Sequence, residues 1–531
     1  MLWKKNQLAV LLTIVFFYFS FVSSPVSSAE NQEKRVVPRG TLRVVDSWAT
    51  SSSAIVNYAE GLVTLDKDNN YIPCLAESWN WIDDKTIEFK LRRGVLFHNG
   101  EPFNAEAVKI NWSAFIALNV PALPFLNFFK ETKLEIINDY TVRFSFPETD
   151  GMALAKFEIF RQFAPAFFHH NKFVETQWGN LLNAGPWGTG PFEVVEGKFL
   201  GELSDRIVLE ANASYWDKRY PKVKTVIFDN TLIADLEAAV KLCRTEEGSI
   251  DIVSFIRPID TLKIAESRFA KVVKSKDFCQ LHSAINQRKP GSKWRDIRLR
   301  KALSHAINRE ELWQYGAKGN AYNLGGHIPP GARGHNPDLK LYTYDTDKAR
   351  ALLKEAGYPD GFEMTLIAPF AQELEAQVMK SMYERIGLKV NLKTFSWPVW
   401  NYRVFTPDDK KAQAENWDVS ICFNNDWCGH SGAAHLVWPY LEGSWVRWIE
   451  YDEKFESMWK DMARTFDEKQ QDQKMQQIEQ YIYEKAYAVF IYSPLSLYAV
   501  NKEVNFIPQK GQRLKLKETS VTDNHWSVLS K

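Results

Sequence analysis

The sequence predicts an α/β protein of two lobes with an additional α+β segment set into the first, and three observations carry this. The chain has 531 residues, or about three domain equivalents at roughly 150 residues each. Its later half alternates strand-like and helix-like hydrophobic periods, the β-α-β rhythm of a sheet covered by helices. Residues 65–185 read differently, with paired strand-like runs around a single helix. No internal repeat or long linker divides these regions, so the lobes are expected to assemble from non-contiguous pieces.

Composition narrows the functional classes. The 45% hydrophobic and 25% charged fractions are those of an ordinary globular chain and exclude a disordered, collagen-like or polytopic membrane protein. With 66 Lys+Arg against 65 Asp+Glu, there is no basic excess to displace counterions from a phosphate backbone, so no nucleic-acid partner is expected. The 19 Trp, 20 Tyr and 34 Phe enlarge the cores. Some of these stiff rings can also wall a ligand cavity at small entropic cost.

At the N-terminus Lys4 and Lys5 precede an apolar run from Leu8 to Val22, and Ser27-Ser28-Ala29 follows. A positive start, a short apolar core and a small-residue end are marks of a secretory signal peptide, residues 1–29, cleaved after Ala29; an uncleaved anchor is the competing reading. Its removal takes the formal charge from +1 to −1. No Cys stands at the cleavage point, so a lipid anchor is not expected. No later run reaches the ~20 apolar residues of a membrane helix. The mature chain is expected to be soluble and outside the cytoplasm.

Residues 41–46 read as a strand opening the first lobe. Thr86–Leu91 alternates Ile87, Phe89 and Leu91 with Glu88 and Lys90, the period of a half-buried strand. Asn104 can cap a helix carrying Val108, Trp112, Phe115 and Ile116 at helical spacing, and Tyr140–Phe146 alternates again. Asp296 precedes the stripe Leu299, Ala302, Leu303, Ala306 and Ile307. Asp345 precedes Ala349, Leu352, Leu353 and Ala356, with Gly357 placed to end that helix in a left-handed conformation. A strand over 362–367, a helix over 371–386 and a strand over 388–394 follow. Asp467 then starts a long polar helix leading into Ala488–Tyr492.

Five cysteines are too few to form the scaffold. Cys422 and Cys428 enclose a short loop and are the first candidates for a disulfide, Cys243 with Cys279 the second. Enzyme motifs fail. Gly188-Thr189-Gly190 lacks the third glycine of a dinucleotide loop, where Glu193 stands, and reads as a tight turn. Gly429-His430-Ser431-Gly432 is one residue short of a nucleophile elbow. With no H-E-x-x-H and no P-loop, no catalysis and no cofactor are expected.

Several segments resemble the family 5 extracellular solute-binding proteins, the peptide- and nickel-binding receptors of ABC importers. Leu75–Trp112 follows that family's pattern from the Leu75-Ala-x-Ser-Trp79 turn through Lys90–Gly100 to Pro102-Phe103 and Val108-Lys109. The turn Gly188–Phe192 and the helices 294–312 and 344–362 are similar in family order. The resemblance implies a periplasmic-binding-protein fold. Lobe one would be 36–64, 186–281 and 495–531, the inserted domain 65–185 and lobe two 282–494, with crossings near Leu281–Asn286 and Ile491–Leu497. It further implies a monomeric periplasmic receptor that closes on a peptide or peptide-like ligand and docks on an inner-membrane permease.

The same resemblance points to a site. Cys422–Asp426 falls on the segment whose Asp pairs with a peptide ammonium, so Asp426, with Asn424 and Trp427 beside it, is the amino-binding candidate; a brace for its own turn is the other reading. Trp397 falls on a pocket tryptophan, with Trp400 close behind, and Trp48 follows the first strand of lobe one; each ring is equally readable as core. The Arg that grips a dipeptide carboxylate has no counterpart in Ile367–Phe370, which disfavours a fixed dipeptide clamp and favours longer peptides, modified peptides or a non-peptide solute. His430 and His435, with the nearby cysteines, leave a nickel, metal-chelate or other small-solute receptor as the alternative.

Overall fold

The structure, a computed structural model, describes residues 34–46, 50–117, 131–170, 185–198, 204–276, 278–404, 417–425, 436, 440–442, 444, 447–510 and 513–529. Its first large sheet has seven strands in the order Ala270–Ser275, Ser496–Asn501, Ile252–Val253, Thr41–Val45, Thr225–Asp229, Arg206–Ala211 and Phe192–Glu196. Thr41–Val45 lies at its centre, parallel to both neighbours. Leu42, Val44 and Val45 are fully buried, as expected for a strand covered on both faces.

The second large sheet has six strands in the order Ala321–Asn323, Ala488–Pro494, Cys279–Ile285, Val419–Asn425, Glu363–Pro369 and Lys389–Phe395. Glu363–Pro369 runs parallel to Lys389–Phe395 and to Val419–Asn425. Each large sheet has its own apolar core, so there are two lobes. The chain passes from the first sheet to the second between Ser275 and Cys279, earlier than the expected Leu281–Asn286, and returns between Pro494 and Ser496.

A third sheet is antiparallel, with strands Ala76–Asp83, Thr86–Leu91, Thr141–Ser145 and Lys133–Asn138. Ile87, Phe89 and Leu91 point into its core with Val142 and Phe144. The alternation read in these runs is therefore the alternation of one covered and one wet face.

The helix starts follow their capping residues. The amide of Ala107 donates to Asn104 Oδ1 at 3.0 Å, that of Arg298 to Asp296 at 2.9 Å, that of Lys348 to Asp345 at 2.8 Å and that of Gln470 to Asp467 at 2.9 Å. Helix Thr346–Glu355 ends as its glycine predicts. Gly357 has φ +93°, its amide donates to Lys354 O at 3.0 Å, and that of Tyr358 to Leu353 O at 2.9 Å. The paired bonds are a Schellman stop.

The turn at Gly188–Phe192 is a structural joint. The Gly190 amide donates to Tyr58 O and the His98 amide to Gly188 O, both at 2.8 Å, so the inserted sheet is held to the first lobe through main-chain atoms. A Cβ on Gly188 would stand 2.0 Å from Tyr58 O, and one on Gly190 2.5 Å from Asn57 O. Only glycine fits.

The expected disulfides do not form. Cys243 and Cys422 carry free, buried thiols. Cys243 sits inside helix Leu236–Thr245 among Val240, Ile250 and Val253, whereas Cys279 opens a strand of the other sheet. Cys422 lies within Val419–Asn425, 3.7 Å from Ser420 Oγ, and burial pushes its thiol up to about 12; Cys428 lies outside the described residues.

Because the joint is made of main-chain contacts, Gly188→Ala is expected to lower unfolding stability by about 1–3 kcal/mol through overpacking. Urea denaturation of the purified protein checks this, with tryptophan fluorescence as the readout.

Candidate functional site

A cavity of about 740 Å³ opens where the two lobes face each other, within the usual range for a small-molecule site. It lies beyond the carboxyl ends of parallel strands in both sheets, where ligands collect in open α/β folds. From the first lobe come Ile233–Glu237, which follow Thr225–Asp229, and Phe255–Pro258, which follow Ile252–Val253. The second lobe supplies Phe370 and Gln372 after Glu363–Pro369, Trp397 after Lys389–Phe395, and Phe423 near the end of Val419–Asn425. Tyr492, Pro494 and Leu495 close the floor at the return crossing.

The first-lobe rim is held by Asp46, which follows the central strand. It is 1% exposed and accepts hydroxyl bonds from Ser53 and Ser254, each at 2.6 Å. Ser254 and Ile256 are further fixed by main-chain bonds to Val45 O and Leu497 O, both 3.0 Å. Phe255, caught between them, takes φ +52°, a costly conformation for an aromatic residue. Its ring lines the cavity and meets Tyr498 at 5.8 Å.

Trp397 begins helix Trp397–Val404 and is 38% exposed at the cavity wall. Trp400, one turn on, is fully buried and lies behind it, with ring centroids 4.9 Å apart. The Trp400 indole N–H donates to Ser420 Oγ at 3.1 Å. Trp400 therefore supports the wall rather than forming it. Asn424 is described in its backbone alone, opposite Gln280 in the strand pair. Asp426, Trp427, Trp48, His430 and His435 lie outside the described residues. Among the described residues, no group of three or more His, Cys, Asp or Glu is placed to hold a metal ion.

Sequence reasoning missed several wall residues. Phe255, Arg257, Glu375 and Tyr492 line the cavity, yet none belongs to a short motif. Arg257 is clasped by Asp260, at 2.8 and 3.0 Å. Glu375 accepts the Tyr492 hydroxyl bond at 2.7 Å. Burial pushes its carboxyl above the usual range, against that bond and its own backbone amide. The available signal was positional: Glu375 falls in the first turn of helix Glu373–Arg385, just after a strand whose end faces the cavity.

Comparison with known proteins agrees with this architecture. The chain is 26% identical over 383 residues to heme-binding protein A of Haemophilus influenzae, covering 67% of this chain and 68% of that protein. It is 25% identical over 359 residues to the dipeptide-binding protein of Escherichia coli, covering 61% of this chain and 64% of that one. The solved structure of the periplasmic binding protein DppA of Helicobacter pylori, in complex with peptide STSA, superposes with a TM-score of 0.72 at 20% identity, covering 93% of this chain and all of that one; at that identity it speaks for the two-lobed fold alone. Residues 70–443 match the model of the bacterial extracellular solute-binding proteins, family 5 Middle, and the chain belongs to that family.

Proposed function

We propose that this protein is the solute receptor of an ABC importer and captures a peptide or peptide-like ligand between its lobes. The observation that carries this is the cavity, walled by rings from both lobes and set at the carboxyl ends of both sheets. A ligand that touches both walls binds the closed form better than the open one, and that difference in affinity drives closure. The closed receptor then docks on an inner-membrane permease. This role asks for reversible binding and no bond breaking.

The division of the chain into lobe one (36–64, 186–281 and 495–531), insertion (65–185) and lobe two (282–494) belongs to the same proposal, with the boundary at 281 drawn back to between Ser275 and Cys279, where the chain changes sheets. So does export to the periplasm by a cleaved leader of residues 1–29, with the mature receptor acting as a monomer. Among the described residues no helix is long and apolar enough to cross a membrane.

Within the cavity, Trp397 would stack on the ligand, and Asp426, directly after Val419–Asn425, would pair with its ammonium. A carboxylate in a closed, water-poor cleft gains far more from such a partner than one in water. Asn424 and Trp427 would flank that pair, and Trp48 would approach from lobe one.

Isothermal titration calorimetry against peptides of graded length tests the reading. Reversible binding without hydrolysis is expected; turnover of the peptide without reversible binding would replace the receptor by an enzyme. Asp426→Asn is expected to weaken a free-amine peptide by roughly 2–5 kcal/mol and to leave an N-acetylated one almost unchanged. Loss of unliganded thermal stability, with ligand ranking intact, would instead assign Asp426 to its own turn. The two tryptophans should separate by readout. Trp397→Ala should weaken binding with little effect on unliganded stability, whereas Trp400→Ala should cost about 3–5 kcal/mol of stability by emptying a core site.

A further inference from the structure

We infer that Glu375 is a second anchor in the cavity and recognises a cationic group of the solute, an ammonium or guanidinium distinct from the one assigned to Asp426. The inference rests on the cavity being the ligand site. Glu375 is only 9% exposed yet lines the cavity. Its described side-chain partner is the hydroxyl of Tyr492, 2.7 Å away, a neutral donor that orients the carboxyl without neutralising it. Among the described residues no Lys or Arg forms an ion pair with it, and burial raises its pKa against the bonds from Tyr492 and its own backbone amide. A buried carboxylate without a counter-charge is costly, and a ligand cation would remove that cost.

The surrounding charges point the same way. The cavity wall holds the carboxyl groups of Asp235, Glu237 and Glu375 against one guanidinium, that of Arg257. That guanidinium is already held by Asp260 and reaches Glu237 at 3.4 Å. Asp235 is engaged as the cap of helix Leu236–Thr245, accepting from the Ala238 amide at 2.9 Å. Lys274, beside the wall, donates to Asn320 Oδ1 at 2.8 Å. Arg257 and Lys274 are thus engaged by partners other than Glu375.

The neighbouring backbone leaves room for the carboxyl. A Cβ on Gly316 would stand 2.9 Å from Glu375 Oε1, so glycine there keeps the space that the side chain fills. Tyr492 lies in strand Ala488–Pro494 just before the return crossing, and Glu375 lies in the first turn of helix Glu373–Arg385. A cation on Glu375 would therefore sit at the floor of the cleft, against the part of the wall closest to the crossing.

Calorimetry with matched probes tests this. The first pair is Ala-Lys-Ala and its neutral isostere Ala-norleucine-Ala; agmatine and spermidine serve as non-peptide cations. Each is titrated into the native protein and Glu375→Gln, which keeps an acceptor for Tyr492, with thermal unfolding to establish that the variant folds. The native protein should prefer the lysine peptide by about thirtyfold or more, and the variant should lose that preference while binding the norleucine peptide as before. Peptides bound without preference, or a preference that survives in the variant, would overturn the inference and leave the peptide reading standing. If neither peptide binds but agmatine or spermidine does, in a manner that needs Glu375, the cation assignment stands and the peptide reading falls. Binding of none of the four probes would overturn the assignment. If Glu375→Gln does not fold, Glu375→Asp takes its place: withdrawing the carboxylate by one methylene should weaken the lysine preference, and an unchanged preference would overturn the inference.

Discussion

Two strand crossings set the geometry on which everything else depends. The chain leaves the first large sheet after Ser275, enters the second at Cys279, and comes back between Pro494 and Ser496. The two passages are bonded to their surroundings on both sides. Ser493 donates to Cys279 O at 2.6 Å, the Leu495 amide to Asn320 O at 2.9 Å, and the Ile256 amide to Leu497 O at 3.0 Å. With both passages held this way, the carboxyl ends of the parallel strands in one lobe face those in the other. The cavity is a consequence of that arrangement and does not depend on any one side chain.

Side chains then give the cavity its character. On one wall an exposed tryptophan rests on a buried one, whose indole bond to Ser420 leaves no polar atom unmatched. On the other, Asp46 spends both oxygens on hydroxyl donors and so holds the rim without presenting charge to a ligand. The ion cluster of Arg257, Asp260 and Glu237 is largely self-satisfied. The polar contacts left to define a ligand are few, as in most small-molecule sites, where shape comes from apolar walls and orientation from a small number of polar groups.

Local signals in the sequence carried the elements that have strong local causes. Strands with one wet face, such as Thr86–Leu91, show alternation; capped helices show Asn104, Asp296, Asp345 and Asp467; Gly357 shows the stop. Ile252–Val253 and Cys279–Ile285 did not stand out, because strands buried on both faces lose the alternation that marks a strand. All seven residues of Cys279–Ile285 are buried. The site was legible in part. Trp397 could be reached through the resemblance, but Trp400 one turn later looks the same in sequence and differs only in which way its helix turns it. Glu375, Tyr492 and Phe255 come together from separate elements, and nothing local announces such a meeting. The cysteine pairing failed for the same reason, since spacing says nothing about which sheet a residue joins.

The glycine turn between the inserted sheet and the first lobe has a consequence for how this chain can vary. The seam combines carbonyl and amide contacts with bonds from the side chains of Tyr58 and His98, and side chains that take no part in these bonds are the ones most readily exchanged. Gly188 and Gly190 are the exception, because there the obstacle is the opposing backbone itself and no rearrangement of neighbours can make space. Substitution along this boundary is therefore expected to be least tolerated at these two points, whatever solute the cleft is shaped to hold.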